Sequence, residues 1–408
     1  MAAQSLNPFR VVVQYRNFRI FWIGQTISLI GSWMQQVAVG WLALELSNDP
    51  FLVGVVAAAG TLPILIFSLP GGMLADVADK LRVIRIAQSL MLVEASVLWY
   101  LSWTGHLSIS SLIILTSLGG LLAAFEIPAR QALFVELVGR EDLAAAIALN
   151  STGFNLARVL GPTIAAVVIA KLGMPWTFGI NALSFVAVLV GLAMIQLTPR
   201  ERDSEITTKR GFDGMIEALR YIRETPPLPM LMLFAMVFSV LGIPILTLLP
   251  VVARDVLGFG ADGYGALMAA LGIGAMVGAL AIAATGGGAK KGRTLWLASH
   301  AFPILLMAFA VTRIPTLSAL LIFGIGIAMI INNALVNARL QEVVPDALRG
   351  RVISFYVMVY IGGSPLGSFM AGAIAKGFGA AWAIGGTAAL MLLFALWIFR
   401  REPALTAH

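Results

Sequence analysis

Two carboxylates and one guanidinium stand where a chain this apolar should not carry them. Glu94 and Arg158 each fall near the middle of a long apolar run, and Glu126 falls near the end of another. Isolated charge in hydrocarbon is expensive, so such residues pair, line water or take part in ion movement. Proton exchange is the chemistry a buried carboxylate offers, because desolvation favours its acid form and a nearby cation favours its anion. A Glu94–Arg158 pair that parts would take up a proton, whereas one that stays would be a static strut. The residues alone leave both readings open.

Amides and hydroxyls make the second constellation. Gln25, Ser28, Ser32 and Gln36 recur at intervals of three and four, which puts them on one helical face. Asn333 and Asn337 share a face further along, with Asn332 beside them. Such faces hydrogen-bond either a bound molecule or a neighbouring helix, the latter at about 1 kcal/mol per bond. Other chemistry is missing. There is no cysteine, and His106, His300 and His408 stand apart without metal-ligand spacing. Gly272-Ile-Gly274 follows no soluble strand, and no phosphate-binding Gly-x-x-x-x-Gly-Lys-Ser/Thr occurs. Neither a cofactor nor a metal is expected.

The elements that hold these groups follow from composition. Of 408 residues, 59% are hydrophobic and 12% charged, with a mean hydropathy of +0.93. A soluble domain carries about 25% charged residues, so this chain has too little polar surface to cover a globule. About 20 apolar residues cross a bilayer as a helix. That ruler predicts about twelve spans, near 18–46, 51–75, 83–103, 108–126, 143–170, 176–197, 228–252, 262–285, 293–312, 315–337, 352–375 and 379–399. Glycine-rich 262–285 is the weakest of them. The first apolar run is far too long for the core of a cleavable signal.

Bases set the orientation. Lys171, Arg254, Arg313 and Lys376 fall on one side of these spans and Arg158 inside one. Every other Lys and Arg, Arg140, Arg200, Arg202 and Lys290 included, falls in the tails and the loops of the opposite side, which predicts both termini in the cytoplasm. The net charge of +7 therefore reflects membrane topology, not nucleic-acid binding.

The longest polar segment, 199–227, divides the chain into six-helix bundles at 1–198 and 228–408. Phe212, Met215, Ile216, Leu219, Tyr221 and Ile222 among its bases predict a short amphipathic helix on the inner surface. The halves resemble each other. Glu136-Leu-Val precedes the fifth span and Glu342-Val-Val the eleventh, and Gly161-Pro162 in the fifth corresponds to Ser364-Pro365 in the eleventh. Repeats of this kind place a binding site near the midplane between them.

The loop Gly72-Met-Leu-Ala-Asp76-Val-Ala-Asp79-Lys80-Leu-Arg82 resembles motif A of the major facilitator superfamily, Gly-x-x-x-Asp-Arg-x-Gly-Arg-Arg/Lys. Gly72, Asp76 and Lys80 fit, while Val77 and Asp79 stand where arginine and glycine are usual. Pro128-Ala-Arg130-Gln131, Asn155-Leu-Ala-Arg158-Val-Leu-Gly161-Pro162, Pro250-Val-Val-Ala-Arg254-Asp255 and Arg349-Gly350-Arg351-Val352 are similar to its third drug:proton antiporter family, which holds macrolide efflux pumps and the enterobactin exporter. The resemblance implies a major facilitator fold. It also implies a gate latch in which Asp76 meets Arg130 and the start of the helix near Val352, with Lys80 and Arg82 in the same loop. The first, fourth, seventh and tenth spans would line the cavity, giving the amides above a role in holding cargo.

The expected activity is export of an amphipathic small molecule, coupled to protons at Glu94, with Arg158 and Glu126 as further coupling candidates. The expected setting is a monomer in a bacterial cytoplasmic membrane. A lipid or lysophospholipid flippase of the same fold is the alternative. A membrane-embedded enzyme would need an intramembrane catalytic cluster, and a sensor a soluble effector domain; neither is visible.

Overall fold

The computed structural model describes residues 9–139, 141–196, 209–284 and 291–402, and every regular element in them is helical. Arg140, Arg200, Arg202, Lys290, His408 and linker residues 199–208 lie outside the described residues, as do the side chains of Phe212, Met215 and Arg349. The chain forms two compact units. One comprises Met1–Asn48, Ala59–Thr198 and Phe259–Ala269; the other comprises Asp49–Ala58, Pro199–Gly258 and Ala270–His408.

The first unit is built on α1 (Phe9–Gln14), α2 (Arg16–Ser47), α3 (Pro50–Val77) from Ala59 on, α4 (Lys80–Trp103), α5 (Ile109–Val138), α6 (Leu143–Leu172) and α7 (Pro175–Met194). Asp79 begins α4 as its N-cap, with the Arg82 N–H donating to Asp79 Oδ1 at 3.0 Å. The departure from glycine at this position thus has a local purpose, since a capping carboxylate satisfies an orphan donor of the first turn. Ser108 and Ser111 cap α5 reciprocally. Gly139 ends α5 with a φ of +75°, a conformation that other residues rarely adopt. Phe18, Phe21 and Phe134 pack edge to face in the core. The short α1 is tied down by Asp142, which accepts from Arg10 at 3.1 Å and from the Tyr15 hydroxyl at 2.9 Å. That bond to a carboxylate holds the Tyr15 proton on more firmly than in a free phenol.

The second unit follows with α8 (Lys209–Glu224), α9 (Leu228–Val237), α10 (Ile245–Val251), α11 (Ala261–Ala284) from Ala270 on, α12 (Lys291–Val311), α13 (Pro315–Val343), α14 (Asp346–Phe378) and α15 (Ala380–Arg401). The expected linker helix is α8, in which Ala218 and Ile222 are buried and Ile216 and Leu219 exposed. Its seventh span is not a plain α-helix: π-helical turns at Phe238–Gly242 and Val252–Val256 interrupt it. Pro244 has no N–H for the Val240 carbonyl, and the chain widens there so that Ile243 N–H reaches Phe238 O at 3.2 Å. The loosened Val240 carbonyl is covered by Gly367 of α14, where a Cβ would collide with it.

Glycines let helix backbones touch in each unit. In the first, Gly71 and Gly120 let α3 and α5 meet, against the Ala124 and Gly60 carbonyls. In the second, Gly274, Gly278 and Gly326 do the same for α11 and α13. Small residues permit this approach where lipid supplies no hydrophobic drive.

Eleven helices among the described residues are long and apolar enough to cross a membrane. Glycine-rich α11 is one of them, so its apparent weakness was misleading. The predicted span that falls short is α4, a 24-residue helix whose first turns carry Lys80, Arg82, Arg85 and Gln88. Large apolar side chains such as Leu183, Leu280 and Trp382 lie exposed, as surfaces that face lipid require.

Candidate functional site

Glu94 sits on α4, 3% exposed, where α4 packs against α5 and α7. The Gln35 amide of α2 donates to both its oxygens, at 3.1 and 3.2 Å. Gln35 in turn accepts from Asn181 Nδ2 of α7 at 2.7 Å. Ser184, one turn on, donates to the Asn181 carbonyl at 2.7 Å and lies 3.1 Å from Asn181 Oδ1. Two glycines make room. A Cβ on Gly31 would strike Ser184 and Asn181, and Gly119 of α5 faces the carboxylate without a side chain. Here a carboxylate in mid-helix is held by a neutral amide, an arrangement in which protonation changes its charge without breaking an ion pair.

This corrects the expected Glu94–Arg158 pair. Arg158 lies on α6 with its guanidinium carbon 6.0 Å from the Trp33 ring centroid, in reach of a cation–π attraction. Gln35, Asn181 and Ser184 were not anticipated. Gln35 lies one residue off the Gln25–Gln36 line, and Asn181 is a lone amide in an apolar run.

The two carboxylates Glu94 and Glu126 occupy different settings. Glu126 is buried between α5 and α4, with Arg130 Nε 3.1 Å away and Gln88 Nε2 at 3.3 Å. Arg130 is therefore engaged by its own helix. The expected Asp76–Arg130 pair is absent, and Asp76 is exposed. The remaining motif residues are spread out: Lys80 pairs with Glu136 of α5 at 2.7 Å, the Arg82 side chain is exposed, and no atom comes within 4 Å of a Cβ built on Gly72.

The amide faces divide. Gln25 and Ser28 are buried, the Gln25 carbonyl oxygen without a hydrogen-bond partner. Ser32 donates back to the Ser28 carbonyl, and Gln36 is exposed. Asn332 is corrected from a cavity residue to a packing one. Fully buried, it accepts from Ser299 of α12 at 2.7 Å and donates to the Ala328 carbonyl. Asn333 donates to the Tyr356 hydroxyl at 3.2 Å, and Asn337 accepts from Gln341.

Nearly the whole chain, residues 3–406, matches the family described as transmembrane secretion effector. The protein belongs to that family. Among its relatives, the Staphyloferrin A transporter of Staphylococcus aureus is 26% identical, covering 88% of this chain and 90% of that protein. The multidrug efflux pump Tap of Mycolicibacterium fortuitum is 26% identical over 86% and 87%, and the enterobactin exporter EntS of Shigella flexneri 24% over 95% and 94%. The fold is the major facilitator fold. It superposes on a bacterial homolog of the human lysosomal transporter Spinster with a TM-score of 0.75 at 14% identity, over 99% and 98% of the chains. It also superposes on a D-xylose–proton symporter with a TM-score of 0.73 at 14% identity, over 93% and 97%. The family is one of multi-span membrane transporters, not of enzymes.

Proposed function

We propose that this secretion-effector family member exports an amphipathic small molecule, drug-like or siderophore-like, from a bacterial cytoplasm in exchange for protons. It works as a monomer by alternating access of its bundles, 1–198 and 228–408, joined by the cytoplasmic linker 199–227. The carrying observation is Glu94: a buried carboxylate in a membrane-length helix, held by the Gln35 amide. Proton uptake from outside neutralises it and is tied to outward release of cargo, and the proton leaves to the cytoplasm before the next cargo binds. The names of the relatives support the direction and the cargo class.

Gln25, Ser28, Ser32 and Gln36 with Asn333 and Asn337 supply hydrogen bonds to the cargo, and Arg158 offers a cation beside the Trp33 ring. The motif A loop, Gly72, Asp76, Lys80 and Arg82, acts with Arg130 as the latch. An exposed Asp76 and an Arg130 drawn to Glu126 fit its released form.

The test is reconstitution of the full chain in proteoliposomes with an internal pH dye. Ethidium, erythromycin and a catecholate siderophore are offered separately, with a fluorescent lysophospholipid as the competing cargo. Cargo-dependent proton flux in the wild type and none in Glu94→Gln is the expected result. Movement of the lysophospholipid alone, or cargo movement without proton flux, sinks the proposal.

A further inference from the structure

The bonds around Glu94 all point one way. Ser184 donates to Asn181, Asn181 Nδ2 to Gln35, and Gln35 Nε2 to both carboxylate oxygens. An ionised carboxyl is acceptor-only, so this direction suits the anion. A protonated Glu94 carries an O–H, and a buried donor without an acceptor is costly. The side chain within reach is Gln35, whose carbonyl oxygen faces away, toward Asn181.

Turning the Gln35 amide over presents Oε1 to the Glu94 hydroxyl. Its N–H groups then face those of Asn181, so Asn181 must turn as well and offer Oδ1 to Gln35. The reversal ends at Ser184, whose hydroxyl keeps a second acceptor in the Asn181 backbone carbonyl at 2.7 Å. The proton itself stays on the carboxyl oxygen, and only amide orientations change. We propose that Gln35 and Asn181 are positioning residues that report the protonation state of Glu94 from α4 through α2 to α7. This deepens the coupling role proposed for Glu94 and rests on it.

No charged side chain competes for the carboxylate among the described residues. The groups facing it are Gln35 from α2, Gly119 from α5 and, through Gln35, Asn181 from α7. Arg158 of α6 lies by Trp33, and Glu126 is held by Arg130 and Gln88.

The experiment is a pH titration of the full-length protein in lipid, followed by infrared difference spectroscopy of the protonated-carboxyl C=O stretch. Glu94→Gln identifies the band by its loss. Asn181→Leu frees Gln35 to offer its carbonyl to the acid, so the band persists to higher pH. The expected change is about five-fold in proton affinity, the equivalent of one hydrogen bond. Gln35→Leu removes the amide difference bands that accompany the titration. Ser184→Ala, the smaller change, moves the midpoint in the same direction by less and serves where Asn181→Leu does not fold. A wild-type midpoint in the Asn181 or Ser184 variant, with the band still lost in Glu94→Gln, overturns the relay and leaves the coupling intact. A band that survives Glu94→Gln overturns the coupling role itself.

Discussion

Two adjacent glycines of α3 should respond oppositely to the same substitution. A Cβ on Gly71 would run into the Ala124 carbonyl and the Phe125 backbone of α5, whereas one on Gly72 meets no atom within 4 Å. Alanine is favoured over glycine inside a helix by about 1 kcal/mol, and both variants gain this. Gly72→Ala loses nothing in return and should be as stable as the wild type or up to about 1 kcal/mol better. Gly71→Ala must also push two helix backbones apart, since the atoms it meets are main chain and cannot rotate away. Overpacking of this sort costs about 1–3 kcal/mol, so the net effect should run from near zero to about 2 kcal/mol of destabilisation. The assay is thermal unfolding of the purified full chain in detergent, with Gly120→Ala as a second probe of the same seam. The order expected is Gly71→Ala below wild type and Gly72→Ala at or above it. If Gly71→Ala melts at or above Gly72→Ala, the glycine seam is not what holds α3 to α5. Gly72→Ala also separates stability from gating, because any loss of transport by a stable variant belongs to the motif loop.

Other outcomes follow from single contacts. Asp79→Ala removes the α4 cap and should cost about 1 kcal/mol, while Asp79→Gly, restoring the residue usual in the family, should cost only a few tenths; unfolding in detergent ranks the two. Asp49, in the loop before α3, accepts from Lys376 Nζ at 2.6 Å and from the Phe51 N–H, and the Lys376 bond foremost holds its carboxyl below the ordinary value. A folded-state value that is depressed adds stability above the unfolded carboxyl pKa, and that stability is lost as pH falls through the folded one. Wild type should therefore exceed Asp49→Asn in thermal stability at pH 6, with the gap closing below about pH 4; being solvent-exposed, the pair should also weaken in high salt. Ser299→Ala, which removes a donor to buried Asn332, should lower stability by about 1 kcal/mol while leaving cargo affinity unchanged, as measured by ligand-induced thermal shift.

Much of the architecture was legible because lipid imposes it. A chain with so few charges must bury its backbone polarity in helices of membrane length, so most of the spans could be read from hydropathy. The α4 helix shows the limit of that reading. It carries three bases in its first turns and Glu94 in its middle, and only its place in the bundle, packed on α5 and α7, makes it an ordinary member of the fold. The motif A loop shows a second limit. Its residues could be matched one by one, yet the resemblance said nothing of Asp79 as a helix cap.

The one-dimensional pattern determined which residues were out of place: Glu94, Glu126, Arg158 and the amide faces are conspicuous because charge and amides are costly in hydrocarbon wherever they fall. It did not determine their partners. Helical periodicity gives the direction of a side chain around its own axis, but not the rotation of one helix against the next. Gln35 rather than Gln36 meets Glu94 for that reason, and Arg130 meets Glu126 instead of Asp76. The glycines at 31 and 119 set how closely α2, α5 and α7 approach the carboxylate, and that approach decides which polar atoms come within hydrogen-bonding distance.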